Sequence, residues 1–183
     1  YAGIIIFTAV LIEYGEQKGI GAFLVEAGTE GLSFGPPEKK MGWRGSDTRT
    51  VFFNELQIPA ENVLGIPAKG FKQFLRTLTG GRITIGALSI GTAQGAYDLA
   101  LKYSQEREAF GKPINKFQSI SFKLADMATR IEASKHLVYH AAWRKDNNLP
   151  VIKQAAMAKL FSSETAMWVT GEAIQVYGGY GYI

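Results

Sequence analysis

Hydrophobic positions along this chain change their period once, near Gly70. Ahead of it the apolar runs are short. Ile4 to Leu11, Gly21 to Val25, Leu32 to Phe34, Thr50 to Phe53 and Leu56 to Ile58 each predict a strand. Between them lie Gly28-Thr29-Glu30-Gly31, Gly35-Pro36-Pro37 and Pro59-Ala60-Glu61-Asn62, which carry turn chemistry. The expectation is an antiparallel β region, part of a barrel or a sandwich. Beyond Gly70 the spacing is helical. Phe71, Phe74, Leu75 and Leu78 form a stripe that Gly80-Gly81 is expected to interrupt, and Ile83, Ala87, Ile90 and Gln94 resume it as far as about Gln105. Ile120, Leu124, Met127, Ile131, Val138 and Ala141 predict a second helix from about Phe117 to Asp146. Asn147-Asn148 end it, and Pro150 suits the first turn of a third. That helix carries Ile152, Ala156, Leu160, Met167 and Ile174 on one face, with Gly171 among them. Gly91 and Gly95, one turn apart, are expected to let another backbone approach. Long antiparallel helices with short joints imply an up-down bundle, its core to be completed by a fourth partner.

The joint between the first two helices is Arg107-Glu108-Ala109-Phe110-Gly111-Lys112-Pro113, followed by Gln118. Gly111 and Pro113 stop the first helix. Arg107 offers a planar five-donor fork that matches a phosphate, Phe110 a flat apolar face, and Gln118 an amide that both donates and accepts. These groups suit a nucleotide cofactor. They equally suit an Arg paired with a carboxylate and a Phe anchoring the turn in the core, and the residues alone leave both readings open.

Composition narrows the chemistry. Apolar residues are 46% of 183, ample for a core, and a net charge of +4 is spread without a basic stripe. That charge suits an anionic small molecule as well as nucleic acid, and no nucleic-acid partner is expected. The chain has no cysteine, which removes disulfides and thiolate catalysis. His136 and His140 stand on one helical face without a carboxylate cluster at ligand spacing, so no metal site is expected. No apolar run approaches the roughly 18 residues of a membrane span. The opening Tyr1-Ala2-Gly3, without Met or a basic leader, and the closing Gly178-Gly179-Tyr180-Gly181-Tyr182-Ile183 read as the edges of an internal segment that is not secreted.

Several blocks together carry a family resemblance. Met41-Gly42-Trp43-Arg44-Gly45-Ser46-Asp47-Thr48, Asn54 to Gly65, Arg107 to Gln118, Ser121 to Met127 and Gln175 to Gly181 resemble, in order, segments of the acyl-CoA dehydrogenases. The resemblance implies an α+β multidomain fold. Residues 1–66 would be part of the middle antiparallel β-barrel domain, and 67–183 a truncated C-terminal helical bundle. It implies FAD as cofactor, an acyl-CoA thioester as substrate, electron-transfer flavoprotein as electron acceptor and a homotetramer. The implied reaction is α,β-dehydrogenation to the trans-2-enoyl-CoA, of short or medium chain length. An acyl-CoA oxidase and a non-catalytic helical oligomerisation module of the same fold are the alternatives. The compartment would be the cytoplasm of a bacterium or the mitochondrial matrix of a eukaryote.

Residue by residue, the resemblance implies that Arg107, Phe110 and Gln118 hold the FAD of a neighbouring subunit. Gln175, Val176, Tyr177, Gly178 and Gly179 would form a second cofactor contact, although Gly178-Gly179 also reads as a helix C-cap. Thr79, Gly80, Gly81 and Arg82 match the substrate-contacting start of the first bundle helix, with a structural salt bridge as the other reading of Arg82. Phe71 matches a position near the pantetheine arm and fits a core role equally well. Thr79 stands where many members carry Asp. The catalytic base is implied to lie beyond Ile183 or, in a subset of members, on the first helix at the place of Gly81, which has no side chain. No catalytic residue is therefore assigned within the chain.

Overall fold

The computed structural model describes residues 3–183. Contacts group the chain into two compact units, Tyr1–Arg76 and Thr77–Ile183. In the first, β1 (Ile4–Glu13) and β2 (Glu16–Glu26) form an antiparallel hairpin in the register Ile4↔Glu26 to Glu13↔Glu16, with an irregularity between Leu11 and Ile12. Its turn places Tyr14 at φ +50° and Gly15 at φ +79°, the left-handed pair whose twist matches that of the strands. β3 (Leu32–Phe34) pairs antiparallel with β4 (Val51–Phe53). Phe7 packs on Phe23 and Phe53 with ring centroids 5.5 and 4.6 Å away, which joins the two ribbons on one apolar face. Among the described residues these ribbons do not close into a barrel.

Leu56 to Ile58, expected as a strand, joins no sheet among the described residues. Glu55 at φ +49° turns the chain out of the β3–β4 ladder, and Pro59, which cannot donate, leads into a single 3-10 turn at Ala60–Asn62. The chain then returns to β2, where Val63 bridges Phe23 and the Leu64 amide donates to the Ala22 carbonyl at 2.8 Å.

α1 (Gly70–Glu106) runs without a break through Gly80-Gly81, contrary to the expected interruption. Each glycine costs a helix interior about 1 kcal/mol relative to Ala, a penalty that tertiary packing readily overrides. α2 (Gln118–Asp146) and α3 (Ile152–Tyr177) follow. Pro150 lies ahead of α3 rather than in its first turn. It closes the joint through its carbonyl, which accepts from Arg144 Nε at 2.8 Å.

The helices pack in two apolar clusters. Ile83 of α1 meets Val138 and Ala141 of α2 and Ala155 and Ala158 of α3. Ala93 and Ala100 meet Leu124, Met127 and Ile131, together with Ala166, Val169, Ala173 and Val176. Residue numbers rise along α1 as they fall along α2 and rise again along α3, so successive helices are antiparallel. Lys123 and Glu172, both mostly buried, form an ion pair that locks α2 to α3.

Two expectations about helix faces are corrected. The buried face of α3 is Ala155, Ala158, Ser162, Thr165, Ala166, Val169, Ala173 and Val176. The larger residues expected inside are exposed, with Ile152 at 69%, Leu160 at 57%, Met167 at 77% and Ile174 at 52%. Close approach occurs at Gly86, where an added Cβ would stand 2.9 Å from Val138 Cγ2 and 3.5 Å from the Ala158 carbonyl oxygen. At Gly91 and Gly95 the space is open.

Candidate functional site

The joint after α1 is fixed by its own backbone. The Arg107 amide donates to Tyr103 at 2.8 Å, and the Arg107 carbonyl accepts from Ile114 at 2.9 Å. Between them β5 (Glu108–Ala109) and β6 (Lys112–Pro113) make a minimal hairpin with Phe110 and Gly111 at its tip, at φ +51° and +77°. Gly111 adopts this conformation freely, whereas a Phe there is strained by about 1–2 kcal/mol. Phe110 is 96% exposed and meets Phe117 edge-to-face, with ring centroids 6.2 Å apart. Within this chain Phe110 is not part of a core.

A 3-10 turn at Ile114–Lys116 leads into α2, and within it Asn115 Oδ1 is buried without a hydrogen-bond partner. Opposite, Gly178 ends α3 at φ +58°, its amide donating to Gln175, and a 3-10 turn follows at Gly178–Gly181. The C-cap reading of Gly178 thus holds. Tyr177 is clamped to α1: its ring stacks on Tyr103 at 4.3 Å and 14°, and its hydroxyl donates to the Leu99 carbonyl at 3.3 Å.

These pieces surround one cavity of about 340 Å³, lined by Arg107 and Ile114 on one side and by Val176, Tyr177, Gly178 and Gly179 on the other, with Tyr103, Tyr180 and Ile183 completing it. Five expected site residues meet there: Arg107, Val176, Tyr177, Gly178 and Gly179. Phe110, Gln118 and Gln175 are exposed near it without lining it. Tyr103, Ile114, Tyr180 and Ile183 were not anticipated. For Tyr180 the sequence offered one signal, the tyrosines that surround the terminal glycines; Tyr103, Ile114 and Ile183 had none.

The cavity suits a phosphate-bearing ligand. Among the described residues no carboxylate pairs with Arg107, so its fork is unspent. Space is open where a Cβ would stand on Gly178 and Gly179, so a ligand can reach their backbone. Flat tyrosine rings supply an apolar wall beside these donors.

Thr79, Gly80, Gly81 and Arg82 lie together on one turn of α1, all half-buried. Arg82 makes no ion pair among the described residues, against its structural reading. Gly80 faces Lys145 of α2, whose Nζ an added Cβ would approach to 3.0 Å. Lys145 thus brings a cation to this turn that sequence reasoning did not foresee. At 1.5 Å per residue, Arg82 and Arg107 are roughly 38 Å apart along α1. The two sets therefore belong to separate sites within one copy of the chain. Phe71 is 56% exposed and takes no part in a core. Among the described residues there is no cluster of three or more potential metal ligands, and no helix is long and apolar enough to cross a membrane.

Comparison with known proteins identifies the family. Residues 68–183 match the family model described as acyl-CoA dehydrogenase, C-terminal domain. The chain is 50% identical over 184 aligned residues to the probable acyl-CoA dehydrogenase YngJ of Bacillus subtilis, covering 100% of this chain and 48% of that protein. It superposes on the butyryl-CoA dehydrogenase of Megasphaera elsdenii with a TM-score of 0.94 at 48% identity, covering 100% of this chain and 48% of that one. A chain in a structure of the electron transferring flavoprotein of Acidaminococcus fermentans matches with a TM-score of 0.94 at 47% identity, over 100% of this chain and 48% of that one. The chain thus spans about half the length of the proteins it matches. With the family model covering most of its length and the same fold in these relatives, the chain belongs to the acyl-CoA dehydrogenase family.

Proposed function

We propose that the protein to which this chain belongs is an FAD-dependent acyl-CoA dehydrogenase of short-chain type. It would convert an acyl-CoA thioester to the trans-2-enoyl-CoA and pass electrons to electron-transfer flavoprotein. The observation that carries the reading is the cavity at the joint, where an unpaired Arg107 faces the open glycines 178 and 179. The likeness to a butyryl-CoA dehydrogenase supports the chain-length class, and the likeness to a chain in an electron transferring flavoprotein structure supports the acceptor. Residues 1–66 would belong to the middle β domain and 67–183 to the helical domain. The compartment follows the host, cytoplasm in a bacterium and mitochondrial matrix in a eukaryote.

FAD, when bound, supplies the acceptor for the β-hydrogen, which leaves as hydride. The chain's own residues have holding roles. Arg107 would supply its charge and donors to the phosphates of FAD, with Gln118 and Gln175 as flanking amides and Phe110 as an apolar cover. Backbone at Val176, Tyr177, Gly178 and Gly179 would line the same ligand. Thr79, Gly80, Gly81 and Arg82 would contact the acyl-CoA, with Arg82 supplying its charge. Since the two sets lie far apart on α1, the Arg107 corner would serve the cofactor of a second copy, as in a homotetramer. Gly81 offers no carboxylate for α-proton abstraction, so we place the base outside the described residues.

The test is anaerobic bleaching of the flavin in the full-length protein by a series of acyl-CoAs. Butyryl-CoA should bleach it within seconds; a spectrum unchanged by every thioester would sink the assignment. Rapid oxygen uptake in place of reduction of electron-transfer flavoprotein would move the protein to the oxidase branch. Arg107→Ala should weaken FAD binding about 10- to 100-fold, the loss of a charge-assisted hydrogen bond.

A further inference from the structure

We propose that Tyr180 positions Arg107, holding the guanidinium by its flat face so that the fork stays aimed into the cavity. The inference rests on the cofactor reading above. Arg107 extends from the end of α1 as an exposed side chain, and a long arginine loses rotamer freedom when it is fixed in one place. A carboxylate could fix it, but would consume the donors and the charge that a phosphate needs. An aromatic face does neither. The in-plane N–H groups remain free while the ring quadrupole attracts the cation.

The geometry supplies that face. The Arg107 guanidinium carbon lies 5.9 Å from the centroid of the Tyr180 ring, and both residues line the cavity. Tyr180 is itself supported. It tilts against Tyr103 at 6.4 Å and 59°, and Tyr103 stacks on Tyr177, whose hydroxyl is tied to Leu99. A column of tyrosines thus runs from the backbone of α1 to the guanidinium. Tyr103 and Tyr177 pack against the core and explain themselves as structural residues. Tyr180 is 59% exposed, contributes little to that core, and has the Arg107 face as its outward contact.

The experiment is FAD titration of the flavin-stripped full-length enzyme, followed by flavin fluorescence, with thermal unfolding recorded for every variant. Tyr180→Ala should raise the FAD dissociation constant about two- to five-fold, the range of an exposed cation–π contact. Tyr180→Phe, which keeps the face, should stay near wild type, and Tyr180→Leu, which keeps bulk without the quadrupole, should behave like Tyr180→Ala. In an Arg107→Ala background, Tyr180→Ala should have no further effect, because only the coupling is removed. Additive losses in the double variant, or a Phe variant as weak as the Ala variant, would overturn the positioning role. So would a Tyr180→Ala protein that binds like wild type. If Arg107→Ala itself leaves FAD affinity unchanged, the cofactor reading fails; if it weakens binding while Tyr180→Ala does not, only the positioning fails.

Discussion

Phe110 is the residue at which local chemistry and local structure disagree most plainly. A bulky side chain at φ +51° is strained, yet the ring is 96% exposed and gains almost nothing from burial in return. Such strain persists where the surroundings impose it, here a minimal hairpin clamped by the hydrogen bonds of Arg107. Phe110→Gly is therefore expected to raise stability by about 1 kcal/mol in chemical denaturation while weakening FAD retention. A loss of stability would mean that the ring is packed in the complete protein. The sequence displayed Arg107 and Phe110 as a pair, but not their different fates. The fork lines the cavity at the start of the joint, whereas the ring sits exposed at the hairpin tip, with β5 between them.

At the scale of the helix, contrasting glycines give a sharper test than any apolar count. Gly86→Ala should destabilise the protein by about 1–3 kcal/mol, since the new methyl meets Val138 Cγ2 in a filled core. Gly95→Ala should be neutral or stabilising by up to about 1 kcal/mol, because a helix former replaces glycine in open space. Urea unfolding of both variants checks the pair, and equal effects would refute the packing described. The sequence marked Gly91 and Gly95 for close approach because their spacing was visible, whereas the contact at Gly86 depends on where α2 and α3 cross. The same cause reversed the face of α3. Periodicity selects the largest apolar side chains, but helices that pack closely bury small ones, and Ala155, Ala158 and Ser162 are what the crossing admits.

For the whole molecule, the exposed stripe of Ile152, Leu160, Met167 and Ile174 is the main feature that this chain leaves uncovered on α3. We expect it to be covered in the complete assembly, as the missing fourth partner of the bundle requires. Leu160→Lys should then lower the unfolding free energy of the full-length protein by several kcal/mol, the consequence of placing an unpaired charge in a buried site. A change within about 0.5 kcal/mol would show that the face is open to solvent.

The change of period at Gly70, the number of long helices and the residues of the joint were legible in the chain alone. Hydrophobic period, glycine and proline act locally, over a few residues, and need no partner to be read. The pairing of Arg107 with Gly178 and Gly179 was foreseen only through family resemblance. The tyrosine wall, Lys145 beside Gly80, the loss of the Leu56 to Ile58 strand and the true inner face of α3 were not foreseen. Each of these is set by which distant segment comes to lie alongside. That is a property of close packing between elements, and no local pattern of apolar and polar residues encodes it. The joint after α1 thus has a composition that is legible locally and a cavity that exists because α3 ends beside it.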